Sequence, residues 1–220
     1  MIVVWGRRNS INVQKVLWTL AELDLPFERH NVGGSFGGTT SAEFTAMNPN
    51  GLVPVLRDGD ITMFESNAMV RYLAARYGAG ILRPHEPQAL ALAEQWMEWT
   101  TTTVAPHAGV VFMQSVRTPS DKRNQAAIAH GAGELNNLLP AVDAVLAVRP
   151  FLAGDRLTFA DIPLGCFMWR LHQFDWPRPV LANLERWYLD LQSRPAYRKW
   201  VMVPVGRNPD EWLANERALA

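Results

Sequence analysis

The spacing of apolar residues changes near residue 80, and this change constrains the fold more than any other feature of the sequence. Before it, short apolar runs alternate with turn residues and helical stretches, which predicts the order β-α-β-loop-β-β-α. After it, nearly every segment repeats its apolar residues at helical spacing. The 220 residues suffice for one or two domains. We therefore predict an α/β domain over residues 1–80, a linker over 81–88 and an all-helical domain over 89–220.

Turn and breaker residues mark the elements of the first eighty positions. The predicted strands span residues 1–5, 27–32, 53–57 and 60–64. One helix is predicted from Val13 to a stop at Pro26. Another is predicted to begin at Ser66, as its cap, and to end at Gly78. The glycine-rich loop 33–40 lacks the Lys-Ser/Thr ending of a phosphate-binding loop, so we expect a mobile connector there.

The second half is predicted to be a set of helices. They span residues 90–113, 122–148, 159–174, 184–191 and 197–201. Pro106 is expected to kink or break the first helix, because proline removes a backbone donor. Thr158 and Asp161 have the spacing of a capping box, with aspartate in place of the commoner glutamate, and Leu157 with Ile162 fits a hydrophobic staple. These four residues predict a structural role at the start of a buried helix.

Charge and cysteine content exclude several classes of function. Because 21 Lys and Arg residues balance 21 Asp and Glu residues, we expect no broad surface for nucleic acid or an anionic membrane. The one cysteine, Cys166, excludes an intramolecular disulfide and a cysteine zinc cluster, and it indicates a reducing, cytoplasmic setting. The five histidines lack metal-binding spacing, so no metal is expected. The charge balance leaves small molecules or proteins as the expected partners. No apolar stretch is long enough to cross a membrane and the first residues lack a signal-peptide pattern, so we expect a soluble, cytoplasmic chain.

The Val53-Pro54 pair opens a predicted strand. Proline donates no ladder hydrogen bond and is therefore tolerated at strand starts. If the bond between the two residues is cis, the backbone N–H and C=O of Val53 are free to pair with an extended peptide ligand. A trans proline that only starts the strand is the alternative.

The Glu65-Ser66 pair stands at a predicted helix start. The free N–H groups and the positive dipole end of a helix suit a carboxylate. Glu65 beside them could accept hydrogen bonds from an ammonium group, so the pair would fit the α-amino-acid end of a ligand. Ordinary capping by Ser66 is the alternative.

Ser10 and Asn12 lie between the first predicted strand and the first helix. A hydroxyl or amide at this point can donate to an anion while the helix dipole supports it. Capping of the helix by either residue is the alternative.

Taken in order, these segments resemble the cytosolic glutathione transferase family, and the bacterial theta-like and beta-like members in particular. The matching stretches are residues 10–17, 48–56, 64–73 and 151–161. The motif NPxGxVPxL followed by ESxAxxxYL is a specific pair, and GDxxTxAD supports it independently from the other half. The resemblance implies a thioredoxin-like N-terminal domain (βαβ-ββα), an all-helical C-terminal domain and a homodimer.

The resemblance also implies which residues bind glutathione and activate its thiol. Glutathione would contact Leu52, Val53, Pro54, Glu65 and Ser66, with Pro54 cis and Val53 paired to the cysteinyl part. Ser10 matches the activating serine of theta-like members, and Asn12 lies near the activating position of others. Leu52 replaces a basic residue or glutamine that is common in the family, and Ser35 replaces a common basic residue. This departure predicts weaker binding of the glycine carboxylate.

By the same resemblance, the second substrate would be a small apolar electrophile held between the domains, against the first helix of the second half. The candidate residues there are Trp96, Trp99, Thr100, Thr103 and His107. Glutathione would be a co-substrate of a transferase. Two alternatives remain, namely another glutathione-dependent reaction (peroxide or disulfide reduction, or isomerisation with Arg7 or Arg8 as a cation) and a non-catalytic interaction module of the same fold.

Overall fold

The computed structural model describes residues 1–220, and its first half is built on one four-stranded sheet. The strands are β1 (Ile2–Trp5), β2 (Phe27–His30), β3 (Val55–Asp58) and β4 (Ile61–Phe64). Their order is β2-β1-β3-β4, with β1 and β2 parallel and the other neighbours antiparallel. The predicted βαβ-ββα arrangement is confirmed.

Helices α1 (Ile11–Glu22) and α3 (Ser66–Tyr77) pack against each other and against this sheet. Val13 and Leu17 of α1 and Leu73 of α3 belong to one apolar core with the strands. Since the starts of both helices lie beside strand ends, the sheet places residues 10 and 66 near one edge.

Two local expectations for this half are wrong. The stretch after the glycine loop contains a short helix, α2 (Ala42–Met47), whose cap Ser41 accepts a hydrogen bond from the backbone N–H of Phe44. Ser66 does not cap α3, because it is the first helical residue and Glu65 occupies the cap position without a side-chain cap bond. Gly78 ends α3 as predicted.

The second half is helical, as predicted. Its helices are α4 (Pro87–Trp99), α5 (Ala105–Phe112), α6 (Gln125–Leu146), α7 (Asp161–Leu171), α8 (Ala182–Ser193), α9 (Pro195–Trp200) and α10 (Pro209–Ala218). Helix α10 was not expected from the sequence. No helix combines the length and the hydropathy needed to span a bilayer.

Pro106 does not break the first helix of this half. A π-helical turn, Thr100–Val104, joins α4 to α5, and a second one, Met113–Arg117, follows α5. Pro106 lies in the first turn of α5, where the missing N–H is tolerated because the wider π turn precedes it. The chain therefore stays helical from Pro87 to Arg117.

Helix α7 is the centre of the molecule. Eight successive residues at its start are buried, and it packs against α1, α4, α5 and α8. Gly165 allows the close contact with α1, because a Cβ there would lie 2.8 Å from the Trp18 ring. Cys166 is fully buried in the same helix, and burial raises the pKa of its thiol to about 12.

Contacts between α1 and the helical half fix the cleft between them. Trp18 of α1 lies within the helical core and makes an edge contact with Tyr197 at a centroid distance of 4.8 Å. Arg194 donates two hydrogen bonds to Glu22, at 2.8 and 2.6 Å. The two halves therefore pack as one unit.

Asp161 holds the start of α7 as a buried acceptor. Its carboxylate accepts from the backbone N–H groups of Leu152 and Thr158 and from Trp187 Nε1, each at 3.0 Å, and from the Thr158 hydroxyl at 3.3 Å. Burial raises the pKa of this carboxyl to about 6, while the four donors act in the opposite direction. The Thr158 hydroxyl accepts from Ala160 N–H and not from Asp161 N–H, and Ala160 occupies the cap position of α7. Only the half of the predicted capping box in which Asp161 accepts from Thr158 N–H is therefore formed.

Candidate functional site

A cavity of about 710 Å³ lies between the sheet half and the helical half. The starts of α1 and α3 form one wall, and the helical segment from α4 to the second π turn, with α7 and α10, forms the other. Ser10, Asn12, Glu65 and Ser66 all line it. The structure therefore brings four of the predicted site residues to one space.

Ser10 has an unused hydroxyl at the start of α1. It occupies the cap position, with φ −70° and ψ 125°, yet its side chain makes no cap hydrogen bond. No acidic residue in the first turn offsets the positive end of the helix dipole. Asn12, in that first turn, is exposed toward the cavity. Both side chains are therefore available to donate to an anion.

Glu65 and Ser66 form the junction between β4 and α3. Glu65 has φ 72°, a left-handed conformation that costs a non-glycine residue about 1 kcal/mol or more. Its side chain is exposed at the cavity, whereas Ser66 is buried at the helix start. The backbone conformation thus presents a carboxylate directly beside free helical N–H groups.

The Val53-Pro54 peptide bond is cis, as the resemblance implied. Val53 lies outside the paired residues of β3, and its backbone N–H and C=O make no hydrogen bond within the chain. A Cβ built on Gly6 would lie 3.4 Å from the Val53 Cβ, so this segment lies against the loop that leads to Ser10. Leu52 is 65% exposed and adds no charge to that edge.

None of the five residues predicted to meet the second substrate lines this cavity. Trp96 and Thr100 are buried, and the Thr100 hydroxyl donates to Trp96 O within the helix. Trp99 contacts Trp96 edge-on, Thr103 is half-buried, and His107 contacts His130. The cavity wall instead consists of neighbouring positions on the same helical segment, namely Glu98, Thr101, Ala105, Ala108, Gly109, Phe112 and Met113.

The sequence reading missed several polar residues of the cavity. Lys15 is buried, donates to Asn67 Oδ1 at 3.1 Å, and has its pKa lowered to about 8 by burial. Arg170 also lines the cavity, as does Arg7, which the sequence had offered as a cation for isomerisation. For Arg170 a signal existed, because it is a charged residue directly after the apolar run 162–169. No group of three or more His, Cys, Asp or Glu side chains is arranged to hold a metal ion.

Comparison with known proteins agrees with this geometry. The N-terminal domain model of glutathione S-transferase matches residues 9–76, and the C-terminal domain model matches residues 93–195. The chain is 48% identical over 210 residues to glutathione S-transferase GstB of Escherichia coli, covering 93% of this chain and 100% of the relative. It is 30% identical to glutathione S-transferase 4 of Zea mays, with 93% and 94% covered.

Among solved structures, the theta class glutathione S-transferase of Xanthomonas axonopodis pv. citri, with glutathione bound, superposes with a TM-score of 0.89. The two chains are 44% identical, and the match covers 93% of this chain and 99% of the other. Both halves and nearly the full length are thus accounted for by one family. The chain belongs to the glutathione S-transferase family.

Proposed function

We propose that this chain is a glutathione transferase that binds glutathione at the start of α1 and α3 and activates its thiol. The observation that carries the proposal is the unused Ser10 hydroxyl at a helix N-terminus, in the cavity that Glu65 and Ser66 also line. In the reaction the thiol loses its proton, the sulfur forms a bond to an electrophilic carbon, and the leaving group departs with its electron pair. Proximity in the cavity supplies a further part of the rate.

The γ-glutamyl end and the cysteinyl part of glutathione each have a matching group. The Glu65 carboxylate would accept from the γ-glutamyl ammonium, and the Ser66 hydroxyl and helical N–H groups would bind the adjoining carboxylate. The free N–H and C=O of Val53 would pair with the cysteinyl backbone next to cis Pro54. Leu52 contributes only apolar contact, so the glycine end is the weakest-held part.

Ser10 is the proposed thiolate donor, with Asn12 as a second donor. A free thiol has a pKa of about 8.5, and each unit of lowering requires about 1.36 kcal/mol of preferential stabilisation of the thiolate. One charge-assisted hydrogen bond from Ser10 together with the α1 dipole can supply about two units.

The second substrate would lie against the opposite wall. We propose that Thr101, Ala105, Phe112 and Met113 contact it, while Trp96, Trp99, Thr100, Thr103 and His107, proposed from the sequence, support that wall from behind. A small electrophile with an apolar body fits such a surface. A second candidate reaction, isomerisation of a conjugated acid, is favoured by one observation, namely that the cations Arg7 and Arg170 line the same cavity.

Loss of the Ser10 hydroxyl is expected to abolish thiolate formation near neutral pH. Ultraviolet difference titration of glutathione on the protein, from about pH 5 to 9, should show thiolate well below a pKa of about 8.5. Ser10→Ala should raise that pKa by about two units, whereas Asn12→Ala should raise it less. Ser41→Ala removes a serine cap outside the cavity and should change nothing.

Two results would contradict this assignment in different ways. If only Asn12→Ala removes the signal, Asn12 is the activator and the transferase function stands. If saturating glutathione yields no bound thiolate in the wild type, the transferase proposal fails.

We also propose that residues 1–80 and 89–220 are separate domains joined by the linker 81–88, that the protein is a homodimer, and that it works in the cytoplasm. Support comes from the separate matches of the two family models and from the single buried cysteine, which suits a reducing compartment. Sedimentation velocity at micromolar concentration should give twice the chain mass of 24.7 kDa, and a single species of chain mass would refute the dimer.

A further inference from the structure

Arg170 is a charged side chain held inside the protein at the wall of the cavity. It lies near the end of α7 and is 7% exposed. The other buried residues of this helix are apolar, except for Asp161 at its start. The long apolar packing of α7 fixes the position of Arg170 from behind. Its side chain faces the same cavity as Ser10.

No carboxylate of the chain neutralises Arg170. Its Nη2 donates to the backbone O of Asn9 at 2.8 Å, and its Nε is buried without a partner. Burial lowers its pKa to about 9, and the like charges of Arg7 and Arg117 act in the same direction. The nearby thiol of Cys166 stays neutral because burial raises its pKa to about 12.

Two other enclosed carboxylates of this chain have a cation beside them, whereas the buried Lys15 and Asp161 have only neutral partners. Glu22 binds Arg194, and Glu216 lies 2.7 Å from Arg7 Nε and accepts from Ser35 N–H at the same distance. An unpaired buried charge is costly, and Lys15 and Arg170 are the two buried cations at the cavity whose counter-ion the chain does not supply. Arg170 differs from Lys15 in that its Nε also lacks any hydrogen-bond partner. The cavity beside it is the place where such a counter-ion can enter.

The side chains around Arg170 indicate what the rest of the ligand should be like. The guanidinium lies over the ring of Phe112 at 4.4 Å and near that of Trp212 at 5.5 Å. Both rings line the cavity together with Ala105, Ala108 and Gly109, which leave room for a flat body. An aromatic acid matches both the charge and the apolar surface.

We propose that the preferred electrophile is an acid, a carboxylate or sulfonate on a flat apolar body, and that Arg170 binds its anionic group while the reactive carbon faces Ser10. This inference rests on the proposed transferase function. For an aryl halide, the glutathione sulfur bonds to the carbon that bears the halogen, the carbon–halogen bond breaks, and the halide leaves with its electron pair. Arg170 takes no part in these bonds and determines only which substrate is bound.

A matched pair of substrates tests the proposal without any mutation. We would compare 4-chloro-3-nitrobenzoate with its neutral amide, 4-chloro-3-nitrobenzamide, and divide each kcat/KM by the uncatalysed rate constant with glutathione. That division removes the difference in intrinsic reactivity between the two. The wild type should prefer the acid by about tenfold or more, as expected for a hydrogen bond to a charged group in a buried site. Equal normalised values would overturn the proposal.

Variants then assign the preference to Arg170. Arg170→Met should bring the acid-to-amide ratio to about one and leave the KM for glutathione unchanged, while Arg170→Lys should keep part of the preference. Arg178→Met is the matched control, because Arg178 also donates to backbone carbonyls and lies over a tryptophan ring, yet it does not line this cavity. If Arg170→Met raises the KM for glutathione and keeps the ratio, Arg170 binds glutathione and the proposal is wrong.

A binding measurement separates this inference from the transferase proposal. Calorimetric titration with unreactive 3-nitrobenzoate should show binding to the wild type and its loss in Arg170→Met, whether or not the bound glutathione ionises. Binding with no thiolate would refute the transferase function alone. Thiolate without binding of the acid, or binding that Arg170→Met leaves intact, would refute the role of Arg170.

Discussion

Replacement of Asp161 by alanine is expected to lower the free energy of unfolding by about 3 kcal/mol or more, because the change leaves several buried donors without an acceptor. Leu152 N–H, Thr158 N–H and Trp187 Nε1 all donate to this carboxylate, and all three residues are buried. Water cannot replace the lost acceptor at a site this deep. Urea unfolding followed by tryptophan fluorescence measures the loss, since Trp187 itself reports on the site.

Asp143→Ala provides the comparison for this prediction. Asp143 also accepts three hydrogen bonds, from Asn183 N–H, Asn183 Nδ2 and Leu184 N–H, at the start of α8. Asp143 is half-buried, so water can accept some of the hydrogen bonds that its carboxylate accepted. We therefore expect the free energy of unfolding to fall by about 1 kcal/mol. Equal losses for the two variants would show that burial does not set the importance of Asp161.

Glu216→Gln is expected to lower the free energy of unfolding by about 3 kcal/mol, because it leaves Arg7 without its counter-charge. The change should also weaken the attachment of α10 to the rest of the protein. The Glu216 side chain is 2% exposed, lies 2.7 Å from Arg7 Nε, and accepts from the backbone N–H of Ser35. Gly34 permits this approach, since a Cβ there would lie 2.5 Å from Glu216 Oε1. The one side chain thus joins α10 to the glycine-rich loop at Ser35.

Two measurements check the effect on α10. Limited proteolysis should cut the variant after residue 205 faster than the wild type, and the KM for the second substrate should rise because Trp212 forms part of the cavity wall. Glu211→Gln, on an exposed face of the same helix, should lower the free energy of unfolding by only about 0.5 kcal/mol. A Glu216→Gln protein that behaves like Glu211→Gln would mean that the ion pair does not hold the helix.

The main helices could be predicted because they carry apolar residues at helical spacing, and the strands because turn residues bound their short runs. Helices α2 and α10 could not be read from that signal, since α2 has six residues and α10 buries only two, Trp212 and Glu216. A capping signal for α10 was nonetheless present. Asn208 accepts from Glu211 N–H and donates to the Glu211 side chain, and Pro209 follows the cap.

The two sides of the candidate site differed in how well they could be anticipated. Ser10, Asn12, Glu65 and Ser66 stand at helix starts, which breaker residues mark in the sequence, and the structure places all four at one cavity. The opposite wall was harder because the most apolar positions of a helix, such as Trp96, face the core. A cleft is lined by the positions beside that face, which periodicity alone does not distinguish from a solvent-exposed face.

The burial of Cys166 has a chemical consequence for a protein that handles electrophiles. Only the ionised form of a thiol reacts readily, and this thiol is both enclosed in α7 and held protonated at neutral pH. An alkylating compound that enters the cavity therefore meets no cysteine thiolate of the protein, and the thiol available to it is that of the co-substrate. The catalyst is spared self-alkylation through cysteine, and every thiol consumed is one that the cell can resupply.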